Sequence, residues 1–143
     1  MGRRSHAKRP IGLELVRSAK RVARAFNDAL ADAGGSLPTW LILSSLRGDE
    51  PSTQQQLARA VGIEGPTLTR HLDVLEEEGL VRRAPQPDDR RAMRVELTPA
   101  GEALFSRLLE VVIAFDRRLT AELDEGDLDT LRALLGRLEE NVG

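Results

Sequence analysis

The sequence predicts a mainly helical chain with a small β element near its middle, and three observations predict it. Hydrophobic residues make up 41% of the 143 positions while aromatics are only 3%, so the core must be mostly Leu, Val and Ala. Such a core suits helix-on-helix packing, because Leu and Ala are good helix formers. Glycines at Gly34-Gly35, Gly48, Gly62 and Gly79 cut the leucine pattern into helical segments. Between Gly79 and Pro99 the pattern changes to two strand-like stretches, Val81–Ala84 and Arg94–Leu97, around the loop PQPDDRR.

Taken in order, Ile11, Leu15, Val16, Ala19, Val22, Ala23, Phe26 and Leu30 follow helical spacing in a first helix from Ile11 to Ala33, stopped by Gly34-Gly35. Ser36 or Pro38 opens a second helix, with Trp40, Leu41, Leu43 and Leu46 as its apolar set and an end near Gly48. Pro51 lies in the following turn, and Ser52 with Gln55 fits a capping box before a short helix over Thr53–Ala60. Gly62 suits a sharp turn or a positive φ. Glu64-Gly65-Pro66 begins the next helix, since Pro is tolerated in a first turn. Its inward face is Leu68, Leu72, Leu75 and Leu80, and Gly79 ends it. Thr98-Pro99 starts a long helix that runs through Leu104, Leu108, Val111, Val112, Phe115 and Leu119 to about Leu123. Asp127 or a neighbour opens the last helix, with Leu128, Leu131, Leu134, Leu135 and Leu138 on one side.

Two short helices joined at a glycine, then strand, arginine-bearing loop and strand, make the order of a winged helix-turn-helix. That device places one helix in the DNA major groove and a loop against the backbone or the minor groove. The expected organisation is one domain over residues 1–143. Within it, residues 36–98 would form the DNA-binding lobe, and residues 10–35 and 99–143 would form dimerisation helices. The end helices are richer in apolar positions than a small winged helix needs, and such a helix is not stable alone in water. Burial against the same helices of a second copy answers this, whereas the competing arrangement is an intramolecular pack in a monomer. A two-fold dimer is the commonest oligomer and matches how helix-turn-helix proteins read palindromic DNA.

Net charge is −2, but the charge is segregated. Residues 1–24 carry eight basic side chains against Glu14 alone, and residues 96–143 carry five arginines against eleven carboxylates. Arg82–Arg94 holds five arginines and two aspartates. Because screening limits reach to about 8–10 Å at ordinary salt, DNA meets the local potential rather than the total. The absence of cysteine removes disulfides, thiolate metal sites and thiol redox sensing. No apolar run approaches the roughly 18–20 residues of a membrane span. The start, MGRRSHAKRP, is basic with no apolar stretch after it, so it does not read as a secretory signal and a cytoplasmic location is expected. No nucleophile–base pair, phosphate-cradling glycine loop or metal-ligand spacing is present, so an enzyme, a cofactor and a metal are all unexpected. His6 and His71, the only histidines, are far apart in sequence.

Opposite its leucine face the second short helix presents Glu64, Thr67, Thr69, Arg70, His71 and Asp73, with Gly65-Pro66-Thr67 in the first turn pointing into the groove. The hydroxyls of Thr67 and Thr69 can bond bases or phosphates, and Arg70 can reach guanine or phosphate. Gln54 and Gln55, with Gln56, start the preceding helix and either bond phosphates or are solvated. In the loop, Asp88 and Asp89 stand beside Arg90 and Arg91. One aspartate would hold an arginine through a charge-assisted pair, leaving the other to enter a narrow minor groove. The basic N-terminus is read equally as a DNA-binding or an uninvolved tail.

Two stretches, LARAVGIEGPTLTRHLDVLEEEGLVRR and DDRRAMRVELTPAG, resemble the MarR family of bacterial transcription regulators, most of all its SlyA-type branch. The resemblance covers nearly the whole chain and is highly specific in combination, although the Asp-Arg-Arg tripeptide alone is not. It implies that Asp89 is the wing aspartate and Arg91 the minor-groove arginine, with Arg90 beside it. It places Thr67, Thr69 and Arg70 where the family's recognition helix contacts DNA, and it implies a triangular dimer built from the first and last two helices. It also implies an effector pocket for a small aromatic or anionic ligand. The candidates there are Arg17, Lys20 and Arg21 on the first helix, Trp40 and Ser44 on the second, and Arg70; Trp40 is read alternatively as plain core. The SlyA-type pattern often has histidine where this chain has Ser44, and the family's peroxide-sensing branch is excluded by the lack of cysteine. Repression is the family's usual outcome. A ligand-independent regulator, an activator that displaces a silencing protein, and a winged helix used for protein contacts stay open as alternatives.

Overall fold

The structure, a computed structural model, describes residues 9–48, 52–89 and 91–143. It is mainly helical with a small antiparallel sheet, as the sequence predicts. The elements run α1 (Ile11–Ala31), α2 (Leu37–Leu46), β1 (Ser52–Thr53), α3 (Gln54–Val61), α4 (Gly65–Glu77), β2 (Val81–Pro85), β3 (Met93–Leu97), α5 (Pro99–Leu119) and α6 (Glu125–Val142). The chain divides into two compact units, Met1–Val112 and Ile113–Gly143.

In the first unit a core of Leu30, Ile42, Leu43, Leu57, Leu68, Leu72, Leu75, Val81, Val95, Leu104 and Leu108 is contributed by every helix from α1 to α5 and by both hairpin strands. Ser36 caps α2 by accepting the Thr39 N–H at 3.1 Å, and Asn27 of α1 accepts the Leu37 N–H at 2.9 Å, which ties the first two helices together. The Trp40 and Phe105 rings lie nearly parallel, with centroids 5.3 Å apart, and Arg47 stands 5.8 Å from the Phe105 centroid. The capping box of α3 is Thr53 with Gln56, one residue later than the Ser52–Gln55 pair expected from sequence. Ser52 and Thr53 form the short strand β1, opposite Val95 and Arg94, so the helix begins only after that pairing. Gly62 then takes φ +69°, a left-handed backbone that turns the chain from α3 into α4.

The sheet has the order β1-β3-β2, with Val81 opposite Leu97 and Pro85 opposite Met93 in the hairpin. Pro85, which has no N–H to give, sits on the outer strand, where its absence from a ladder costs least. The hairpin joins α5 through Thr98. Its N–H donates to the Leu80 carbonyl at 3.1 Å, its hydroxyl donates to the Gly79 carbonyl at 2.6 Å, and that hydroxyl accepts the Gly101 N–H at 3.1 Å. Gly101 is buried against the Leu80 carbonyl so closely that a Cβ has no room. The Leu-Thr-x-x-Gly motif is thus a backbone junction.

The expected ends of the long helices shift. The last helical residue of α5 is Leu119 rather than about Leu123, because Glu122 takes φ +69° and turns the chain. The last helix starts at Glu125 rather than Asp127, because Asp124 and Asp127 cap each other's free N–H groups at 2.7 and 3.1 Å. In the second unit Phe115 is buried and Arg118 lies 5.3 Å from its ring centroid. No residue of α6 is buried, and Leu131 and Leu134 remain about half exposed. Among the described residues no helix is long and apolar enough to cross a membrane.

Candidate nucleic-acid interface

Helix α4 buries Leu68, Leu72 and Leu75 and turns its other side outward. Pro66 and Arg70 are exposed there, while Thr67, Thr69 and His71 are partly covered. Pro66 lies in the first turn, so the helix starts with a free end facing solvent.

Thr69 is more constrained than its place on the outer face suggests. Its hydroxyl donates to the Gly65 carbonyl at 2.9 Å and accepts the Gln54 side-chain amide at 2.6 Å. A hydroxyl has one proton, so in this arrangement Thr69 has none left for a base or phosphate. Gln54 is likewise engaged, bridging α3 to α4, whereas Gln55 is exposed.

At the wing tip the described residues show a backbone contact. Asp89 accepts the backbone N–H of Arg91 at 3.0 Å, so its carboxylate shapes the turn and does not hold an arginine side chain among the described residues. A carboxylate two residues before an N–H is well placed to make such a turn, which competes directly with ion pairing. Arg91 is exposed, and its guanidinium has no carboxylate partner among the described residues. Arg90 lies outside the described residues.

An open concavity of about 660 Å³ lies between α3, the start of α4 and the wing. Gln54, Gln55, Thr69, Asp89 and Arg91, all singled out from sequence, line it together. Pro66, Thr67, Arg70 and His71 are not in its wall. Arg59, which sequence reading passed over, is. It stands in the last turn of α3, five residues after Gln54, and only the fold brings it beside Arg91. The concavity therefore carries two cations with one carboxylate that is already engaged.

A second cluster was also missed. Asp73 and Glu76 of α4 both receive Arg83 of β2, at 2.6 and 3.3 Å. Glu76 belongs to the Glu76-Glu77-Glu78 run, whose ordinary sequence reading is a solvated face. Side-chain and then backbone hydrogen bonds from Arg83 hold the Glu76 carboxyl below its ordinary value of 4.5, against a smaller opposing effect of burial. The same side-chain bond from Glu76 raises the Arg83 guanidinium above its ordinary value. On the other face of the hairpin Arg82 and Arg94 both approach Glu96, at 3.3 and 2.9 Å, although the Arg94 Nε–H lacks hydrogen-bond alignment.

A MarR family model matches residues 36–93, from the cap of α2 to the first residue of β3. A probable transcriptional regulator from Pseudomonas aeruginosa is 32% identical over 90% of this chain and 96% of its own, with a TM-score of 0.80. The chain belongs to the MarR family. Members of that family are transcriptional regulators with a DNA-binding winged helix, and not enzymes. The transcriptional repressor CouR, solved bound to a 23-mer DNA duplex, is 27% identical over 97% of this chain and 99% of its own, with a TM-score of 0.86. A MarR variant from E. coli, solved with operator DNA, is 28% identical over 90% and 93%, with a TM-score of 0.83.

Within this MarR-family chain the expected effector residues do not gather around the concavity, whose wall includes none of Arg17, Lys20, Arg21, Trp40, Ser44 or Arg70. Arg17, Lys20 and Arg21 are exposed on α1. Trp40 has its ring stacked on Phe105, and Ser44 donates its hydroxyl to the Leu41 carbonyl at 3.1 Å. Among the described residues no group of three or more His, Asp or Glu side chains could hold a metal ion.

Proposed function

We propose that this regulator is a homodimeric repressor, acting in the cytoplasm, that binds a palindromic operator. Residues 36–98 would form its DNA-binding lobe, and residues 10–35 and 99–143 its dimerisation helices. The observation that carries the reading is the surface where Gln55, Arg59 and Arg91 converge beside the outward face of α4. Helix α4 would enter the major groove with Pro66, Thr67, Arg70 and His71 foremost, while the wing carries Arg90 and Arg91 to the flank. Asp89 shapes the wing turn. Gln54 and Thr69, bonded to each other, would meet DNA with the pair's remaining acceptor and amide groups.

The dimer reading rests on apolar surface. Ile11 and Leu13 of α1 are 65% and 60% exposed, and Leu131 and Leu134 of α6 are 47% and 48% exposed. Exposed leucines at helical spacing are the kind of surface a second copy covers. Two lobes would then sit in successive major grooves about 34–36 Å apart. The resemblance of the wing motif DDRRAMRVELTPAG supports a reading within the SlyA-type branch.

A small aromatic or anionic effector held by Arg17, Lys20, Arg21, Trp40, Ser44 and Arg70 would release the operator only by binding unequally to two lobe spacings. The engagement of Trp40 by Phe105 and of Ser44 by Leu41 favours the second reading, a regulator that needs no ligand. Binding to the chain's own upstream DNA and to scrambled DNA at two salt concentrations tests the function. Tight, salt-sensitive, selective binding supports it; weak binding equal on both duplexes would refute it.

A further inference from the structure

We propose that Arg83 is a positioning residue for DNA binding, which locks the wing to the recognition helix without itself touching DNA. This rests on the DNA-binding reading above and goes beyond it by assigning the geometry between the two DNA-facing elements to one side chain.

β2 is the outer strand of the sheet, so alternate N–H groups along it have no strand to bond. The Arg83 N–H meets the Glu76 carboxylate at 2.9 Å instead. The guanidinium then donates to the same carboxylate through Nε at 3.3 Å and to Asp73 at 2.6 Å. Asp73 and Glu76 are three residues apart and so share one side of α4. One residue of the wing thus grips two residues of the recognition helix, by its backbone and its side chain together.

The alternation of β2 explains which arginine does this. Val81 and Arg83 point to the same side of the strand, towards α4, and Arg82 points away. The Arg83 side chain is only 17% exposed, against 73% for Arg82. A largely covered guanidinium, with Nε and one terminal nitrogen held by two carboxylates, is poorly placed to take a phosphate. Arg82 is the arginine of this pair that solvent reaches.

The position along the hairpin matters as much as the bonds. Val81, 2% exposed, anchors the hairpin at its base in the core. From Val81 to Pro85 the strand extends about 13 Å, and the tip with Arg91 lies further out. Val95 in the core and the pairing of β3 with β1 also hold the hairpin at the level of Arg83. Once freed from α4, the hairpin's outer part, about 13 Å from Arg83 to Pro87, could swing about that level. A rotation of about 10° over that length displaces the end by about 2 Å, which is enough to lose a hydrogen bond whose useful range is a few tenths of an ångström.

The test uses the full chain and a DNA duplex that the wild-type protein enriches from a randomised pool. Affinity is measured for wild type, Arg83→Met, Arg91→Ala and the double variant, with thermal midpoints recorded beside it. Arg83→Met should weaken binding about tenfold, the size expected for a lost charged hydrogen-bond set. In the Arg91→Ala background it should cost clearly less than in the wild type, because the misplaced wing has already lost one of its two arginines and only Arg90 is left to displace. Hydroxyl-radical protection should vanish at the operator flanks and persist at its centre. Losses that add in the double variant would overturn the proposal, since they would mean that Arg83 meets DNA itself or acts through general stability. Should Arg83→Met fail to fold, Glu76→Gln and Asp73→Asn on the exposed side of the pair test the same point, and full affinity in both would overturn it. Failure of the wild type to enrich any duplex would instead overturn the DNA-binding reading, and this inference with it.

Discussion

Replacing Gly101 by Ala should destabilise the protein through one added methyl group. At Gly101, the buried residue of the first turn of α5, that methyl has no room beside the Leu80 carbonyl, and it also meets Leu97 Cδ2 at 3.1 Å. The carbonyl is backbone and cannot rotate away as a side-chain end would. Separation of α5 from the α4–β2 turn would stretch the Thr98 N–H bond to Leu80, now 3.1 Å, and the Thr98 hydroxyl bond to Gly79, now 2.6 Å. Those two bonds contribute about 1 kcal/mol each. Overpacking adds about 1–3 kcal/mol. Alanine's better helix propensity offsets about 1 kcal/mol. The net loss is then about 2–4 kcal/mol, a large part of the roughly 5–15 kcal/mol by which domains are stable. Urea unfolding of both proteins at one fixed chain concentration measures it, since association with a second copy would otherwise shift the midpoint. Gly12→Ala is the matched control, because an added Cβ there meets nothing within 4 Å. A Gly101→Ala loss below about 1 kcal/mol would mean that the junction can open freely, and the account of the motif would be wrong.

The pairing of Glu76 has a pH signature. Its carboxyl is held below 4.5 in the folded chain, so its contribution to stability is complete above that pH and is lost as pH falls through the lowered folded value. The stability gap between wild type and Glu76→Gln, read from urea midpoints, should therefore be constant near neutrality and shrink in acid; a gap that widens in acid contradicts the assignment. Arg91→Ala should weaken operator binding more than tenfold while leaving the oligomeric state unchanged, and it should lower the salt dependence of binding if that arginine meets the phosphate-lined groove. Wild-type affinity in that variant would remove the wing from the mechanism. Truncation near Leu128 should shift the chain towards monomer in analytical ultracentrifugation, because it removes the exposed leucines of α6; a stable, DNA-binding truncated dimer would exclude that helix from the interface.

What could be read from sequence was what depends on neighbours a few residues apart. The leucines of α4 recur at helical spacing, and all of Leu68, Leu72 and Leu75 are buried. Gly62 punctuates the turn because its backbone conformation is one that glycine adopts at no steric cost. Gln54, Gln55, Thr69, Asp89 and Arg91 converge because the order of elements alone sets the hairpin beside the two short helices. What could not be read depends on long-range partners. β1 is two residues long and carries no periodic signal of its own; it exists because Val95 and Arg94 lie opposite. That pairing in turn displaced the capping box by one residue. The ends of α5 and α6 moved for a local reason that was overlooked, a left-handed Glu122 and a reciprocal aspartate cap at Asp124 and Asp127.

The charged residues show the same division at higher stakes. In sequence, the family motif singles out Asp89 and Arg91, but charge alone does not separate Arg82 from Arg83, or Asp73 from Glu76. In the fold each has a distinct task set by strand alternation and helix face. Arg83 faces α4 and is consumed by two carboxylates, while Arg82 stands off the opposite face beside Glu96. Asp89 accepts a backbone N–H, and the Arg91 guanidinium has no ion pair among the described residues. Since a charge paired within the protein contributes little to the potential felt outside, the cations that count towards DNA are those without a partner. Among the described residues of the surface proposed to face DNA these are Arg59, Arg70 and Arg91. A chain of net charge −2 can still offer cations to DNA, because Arg59, Arg70 and Arg91 have no ion pair among the described residues to give up first.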